Sequence, residues 1–238
     1  MLFTLLQADI AESAVQAVPV PQEMSYSLID MAVKGGWLMA VLLLLSIIAI
    51  YIFGKKLVQI GRASKVDKNF IDDIRDYIHD GKTKSAITLC SKYDNPTARL
   101  VEKGLERIGR PLSDIQTAVE NTGNLEVARL EKGLPFLAAI AGGAPMLGFL
   151  GTVMGMVRAF FNMSNAGNNI DITLLSGGIY EAMITTVGGL IVGILAYFGY
   201  NYLTSRISDV VFTMENATIG FMDALNDPES AATVKSEE

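Results

Sequence analysis

The run "SGGIYEAMITTVGGLIVGILAYFGYNYLTS", residues 176–205, carries one charged side chain, Glu181. A helix needs about 20 mostly apolar residues to cross the hydrocarbon core of a bilayer, and this run exceeds that length. Read as a membrane span, it decides the fold class: an all-α integral membrane protein. The lone carboxylate then becomes the feature to explain. A charge at membrane depth costs from roughly 2.5 to above 10 kcal/mol, so such a residue normally faces a bundle interior or a water-filled path.

Two further runs are long enough to span. Residues 37–53 are uncharged, rich in Leu and Ile, and closed by Gly54-Lys55-Lys56, which reads as a plain lipid-facing anchor. The other lies at 134–161. A hydrophobic content of 50% and a mean hydropathy of +0.36 agree with three spans in 238 residues.

Sidedness follows from Lys and Arg beside the spans. The segment before the first span has Lys34 against Asp9, Glu12, Glu23 and Asp30, and the Asn162–Thr173 loop has no basic residue. Lys55, Lys56, Arg62, Lys65, Lys68, Arg129, Lys132 and Arg206 flank the opposite ends. The expected organisation is therefore a periplasmic N-terminal segment (1–34), a first span (35–54), a cytoplasmic helical domain (55–133), a second span (134–161), a periplasmic loop (162–174), a third span (175–203), and a cytoplasmic C-terminal helix and tail (204–238). The opening residues have no basic n-region, and their apolar run is broken at Gln7 and Asp9. They read as a short amphipathic surface helix ended by Pro19 and Pro21 rather than as a signal peptide.

Several function classes drop out. A net charge of -6 argues against nucleic-acid binding. A single cysteine, Cys90, and a single histidine, His79, supply neither a disulfide framework nor a Cys/His metal site, and no cofactor is expected. Cys90 reads as a small apolar core residue and His79 as a surface residue beside a helix end. The spans contain no set of nucleophile, base and orienting group, so an enzyme is the least favoured reading.

Between the first two spans the apolar positions Phe70, Ile71, Ile74, Tyr77 and Ile78 recur at helical spacing until Gly81. Asn95-Pro96 predicts a cap and first-turn proline for a helix through Ile108, and Ser113-x-x-Gln116 resembles a capping box. No strand pattern competes. From Ser113 no stop signal precedes the second span, and beyond Leu203 the pattern continues through Val210, Val211, Met214, Ile219 and Met222. The second and third spans are thus expected to extend into the cytoplasm as long helices.

Within the second span Gly148, Gly151, Thr152 and Gly155 share one face, where small residues let another helix backbone come close. In the third, Glu181, Thr185, Gly189, Gly193 and Ala196 form a similar stripe, with Gly188 on its edge and Thr186 about 100° to one side. The threonine hydroxyls suit a polar route, although each could instead bond its own helix carbonyls. A carboxyl on this stripe is placed either to exchange a proton or only to bond a neighbouring helix.

The segment "APMLGFLGTVMGM", a polar loop, and "GGIYEAMITTVGGLIVGILAYFGYNYL" together resemble the MotA/TolQ/ExbB proton-channel family, closest to its ExbB and TolQ branch. The resemblance implies a homo-pentameric ring in the inner membrane of a Gram-negative bacterium, with a pore lined by the second and third spans. It also implies an ExbD-like partner with one transmembrane helix and an acidic residue in that pore, and a TonB-like protein that receives the work of proton flow. Carried over by position, Glu181 matches the family's third-span glutamate, Thr152 the threonine of its second-span "GT" motif, and Thr186 its third-span threonine. Gly143, Met154 and Thr185 depart from residues common in the family, a threonine, a tryptophan and an alanine. Four spans and a larger cytoplasmic domain would be expected of a MotA protein. A TolQ-like role and a non-conducting scaffold ring remain as alternatives.

Overall fold

The computed structural model describes residues 36–65, 67, 69–165 and 172–226, with side chains described from 175 in the last stretch. The proposed surface helix near the N-terminus, the middle of the 162–174 loop and the C-terminal tail lie outside these residues. Seven α-helices and no strand occur among the described residues. They are α1 (Gly36–Ala63), α2 (Phe70–His79), α3 (Thr83–Cys90), α4 (Pro96–Leu105), α5 (Leu112–Glu131), α6 (Leu134–Asn165) and α7 (Ile172–Asn226). Three stretches, Gly36–Ala63, Leu112–Asn165 and Leu175–Asn226, are long and apolar enough to cross a membrane.

The helices between the first and second spans pack with α5 and the far half of α7 into a base. Its core is Phe70, Ile74 and Ile78 of α2, Val101 and Leu105 of α4, Val119 of α5, and Phe221 of α7, all buried. A 55-residue helix rises about 80 Å at 1.5 Å per residue, so α7 serves both as third span and as a pillar of the base. Of the apolar positions expected past Leu203, Val210 and Met214 are buried in that core and Val211 and Met222 pack partly buried against it, but Ile219 is exposed; the buried residue on that turn is Phe221, which lies outside the expected pattern.

Local signals fared unevenly. Asn95 caps α4, its side-chain oxygen accepting a hydrogen bond from the Ala98 amide at 2.7 Å, with Pro96 in the first turn. The helix ends at Leu105, three residues before the predicted Ile108. The predicted capping box does not form. Pro111 stands at the start of α5 without a side-chain cap, Ser113 lies inside the helix, and Gln116 donates to Glu120 one turn further on. Proline's fixed φ already begins that helix.

The expected unbroken helix from Ser113 into the second span is also interrupted. Lys132 has ψ 117 and Gly133 has φ +100, a left-handed conformation that glycine adopts without a Cβ penalty. Lys56 of α1 fills the joint. Its ammonium, buried among the helices, donates to the carbonyls of Arg129 (3.2 Å) and Leu130 (2.9 Å) and to Gln59 (3.1 Å). Carbonyls at a helix end have lost their helical donors, and a cation there also meets the negative end of the helix dipole. Beside the joint, buried Glu126 accepts from both Arg99 and Arg129, and Arg99 reaches Asp94 as well.

Cys90 is buried at the end of α3, as expected of a core residue, and burial pushes its thiol up to about 12. His79 is the last residue of α2 and is half-buried.

Candidate functional site in the spans

In lipid, helices associate through close packing rather than through exclusion from water, so the small-residue faces decide how α6 and α7 meet. They meet each other. A Cβ on Gly148 would lie 3.0 Å from the Thr185 carbonyl oxygen, and one on Gly189 would lie 2.6 Å from the Ala144 carbonyl oxygen and 2.8 Å from the Gly148 Cα. A Cβ on Gly155 would lie 2.7 Å from that of Ala182, and one on Gly151 would collide with the Thr185 side chain. Gly193 faces Pro145 inside α6. Proline has no amide hydrogen to give to Ala141, and a Cβ on Gly193 would sit 3.1 Å from that freed carbonyl oxygen. All five glycines of the two stripes therefore face a helix of their own chain.

The polar residues divide around this contact. Thr185 is buried within it, and its hydroxyl donates to Ala182 of its own helix at 2.8 Å. Thr186 reaches across the helix pair, donating to the Gly148 carbonyl at 3.0 Å with the Thr152 hydroxyl 3.5 Å away. Thr152 in turn donates to Phe149 of its own helix. Thr152 and Thr186, brought together from two spans, form one hydroxyl pair.

Glu181 stands on the other flank, toward α1. Its carboxylate is 4.0 Å from the Arg158 guanidinium of α6, and a Cβ on Gly36 would lie 2.7 Å from its Oε1. Gly36, Trp37, Leu38, Gly151, Met154, Gly155, Arg158 and Thr185 surround it in a small gap where three helices converge. Below the gap, Gly188 faces Met39, and Gly199 faces Phe53, so the same edge of α7 carries α1 along its length. The stripe read from the sequence as one surface thus has two neighbours: Gly189 and Gly193 face α6, whereas Glu181 looks toward α1.

Arg158 is the residue that sequence reasoning missed. It sits inside the apolar run at 134–161, so a count of basic residues beside the spans passed over it. A signal was present: an Arg within one turn of the end expected outside runs against the basic-residue rule and asks for an anionic partner.

The fold and this site define a multi-pass membrane protein with ionisable and hydroxyl groups inside closely packed spans. Residues 92–216 match the MotA/TolQ/ExbB proton channel family, and the chain belongs to it. It is 30% identical over 193 residues to a biopolymer transport protein ExbB homolog of Methanothermobacter thermautotrophicus, covering 79% of this chain and 67% of that protein. Over 187 residues it is 30% identical to the biopolymer transport protein ExbB-like 1 of Synechocystis, covering 75% of this chain and 71% of that protein. Over 87 residues it is 38% identical to the Tol-Pal system protein TolQ of Haemophilus influenzae, covering 37% and 38%. This is a family of proton channels and not of enzymes.

Proposed function

We propose that the chain is an ExbB-like subunit that couples the proton motive force to TonB-dependent transport across an outer membrane. In this reading it forms a homo-pentamer in the inner membrane of a Gram-negative cell, with the N-terminus and the 162–174 loop periplasmic and the base cytoplasmic. A single-span ExbD-like partner occupies the pore, its acidic residue serving as the main proton shuttle, and a TonB-like protein receives the work. One observation carries the reading: a carboxyl and a hydroxyl pair, Glu181 and Thr152/Thr186, lie inside the spans of a proton-channel family member. A proton crossing the membrane releases about 2.3 kcal/mol per 100 mV, which such an assembly can convert to motion if a titrating group sits on the route. Glu181 shapes and polarises that route or relays the proton, and the threonine hydroxyls line it.

Glu181→Gln keeps size and hydrogen bonding but cannot titrate. The expected result is an assembled complex that still co-purifies with its partner yet has lost membrane-potential-dependent uptake of an iron complex or cofactor. Full uptake would favour a non-conducting scaffold ring. The similarity to TolQ over 87 residues supports a second reading, envelope maintenance, and a cell lacking the protein that kept normal uptake but leaked periplasmic contents would select it.

A further inference from the structure

At the foot of α1 one face of the helix changes from apolar to basic. Leu44, Ile48 and Tyr51, all exposed, are followed on the same side by Lys55, Val58 and Arg62, because residues three, four and seven apart share a helix face. The lower half of this stripe is one wall of a cleft of about 610 Å³, a volume within the range of small-ligand sites. Arg99 of α4 and Arg129 and Leu130 of α5 supply the facing walls. The lining holds four cations, Lys55, Arg62, Arg99 and Arg129, against two acids, Asp94 and Glu126. Both acids are already engaged, Glu126 with Arg99 and Arg129, and Asp94 with Arg99. Lys55 and Arg62 are exposed and form no ion pair among the described residues. The cleft therefore carries two positive charges that nothing in the fold neutralises.

Cations gathered in a cleft draw in an anion, and the setting selects which one. Lys55 closes the apolar run of α1, so the cleft opens at the level where a helix leaves the hydrocarbon for the headgroups, and basic pockets between helices at that level suit anionic lipid. A free phosphate would use the cations alone. A lipid would use the whole stripe, because the exposed apolar face of α1 runs upward from the cleft with no polar residue between Leu44, Ile48 and Tyr51 on that side. We propose that this cleft holds the headgroup of an anionic phospholipid such as phosphatidylglycerol, with the phosphate between Lys55 and Arg62 and one acyl chain along Leu44, Ile48 and Tyr51. The bound headgroup bridges α1 to α4 and α5, next to the point where Lys56 grips the α5 carbonyls, and so braces the joint between the base and the spans. Whether protons pass through the spans has no bearing on this site.

Native mass spectrometry of the purified protein in detergent, titrated with phosphatidylglycerol or with phosphatidylcholine of the same acyl chains, reads this binding directly. The unsubstituted protein should hold phosphatidylglycerol the more tightly. The double variant Lys55→Gln/Arg62→Gln should weaken that binding roughly 30-fold, about fivefold for each cation lost, whereas Lys55→Arg/Arg62→Lys, which keeps both charges, should retain it. Lys132→Gln/Arg206→Gln removes two charges from the same basic end of the spans but outside the cleft, and should bind as the unsubstituted protein does. Equal affinity for the two lipids would overturn the proposal and leave the cleft to an acidic protein segment. An equal loss in both charge-removing variants would overturn it too, since that is the mark of diffuse surface charge. Displacement of phosphatidylglycerol by an equal concentration of glycerol 3-phosphate would show a site for a free anion with no acyl track, and would likewise sink it. Lys55 and Arg62 are exposed, so their substitution leaves the packing intact, and both the lipid preference and the glycerol phosphate competition are read on the unsubstituted protein.

Discussion

In the spans, α6 and α7 meet through Gly148, Gly151, Gly155, Gly189 and Gly193, whereas in the base α2, α4 and α7 meet through Phe70, Ile74, Val101 and Phe221. One helix, α7, takes part in both contacts. The solvent on the far side of each contact explains the change. Around the base, water makes burial of a large side chain favourable, and size is an advantage. In lipid that gain vanishes, and backbones approach closely wherever side chains are smallest. A single 55-residue helix therefore changes its packing residues from glycine to phenylalanine along its length.

This contrast can be broken most severely at Gly189. Gly189→Leu must displace the Ala144 carbonyl and the Gly148 backbone, neither of which can move without the helix, so we expect loss of the assembled protein in native mass spectrometry. The contact lies within one chain, so the substitution acts on the fold of the protomer itself. In the base, Phe221→Ala should destabilise by about 3–5 kcal/mol, read from chemical denaturation of the extramembrane helices. Gly104, against which the Phe221 ring lies with no room for a Cβ, makes this site tight and poorly able to collapse. Glu126→Gln should cost about 1–3 kcal/mol by the same measurement, since Arg99 and Arg129 lose the carboxylate they share and Arg99 Nε already lies buried without a partner among the described residues.

Cys90 sharpens the comparison by reporting on the base alone. Its thiol ionises near 12 in the fold against 9.0 unfolded, so burial of the neutral thiol contributes stability that is complete below pH 9 and declines as pH rises toward 12. At pH 8 a thiol reagent should modify Cys90 only as fast as the base opens, and Phe221→Ala should speed that reaction. The smallest effect belongs to Gly142→Ala. Among the described residues nothing lies within 4 Å of a Cβ there, and melting should change little.

Much of the architecture was legible because its signals are local. Hydropathy alone marks three spans, Asn95-Pro96 marks a helix start, and the apolar spacing of Phe70, Ile74 and Ile78 marks a buried face. The break at Gly133 was not legible, since a glycine inside an apolar helix pattern equally suits continuous packing, and what fixes the turn is an ammonium 77 positions earlier in sequence, Lys56 to Gly133. The stripe on α7 was legible as an angle but not as an environment. A rotation of 100° per residue places Glu181 and Gly189 on one side of the helix, yet whether one neighbour or two share that side depends on where α1 comes to rest. Arg158 escaped for a similar reason: its partner is 23 positions away, on another helix.

The Lys56 clamp gives the first span a mechanical part beyond anchoring. Its ammonium grips the last carbonyls of α5 just where the chain turns at Gly133 into α6. Sliding α1 along its axis by one helical turn, about 5.4 Å, would tear both hydrogen bonds to the α5 carbonyls together, while the bond to Gln59, on α1 itself, would travel with the lysine. A displacement of α1 is thus passed through the lysine to the joint between base and second span, which makes Lys56 a linchpin rather than a tether.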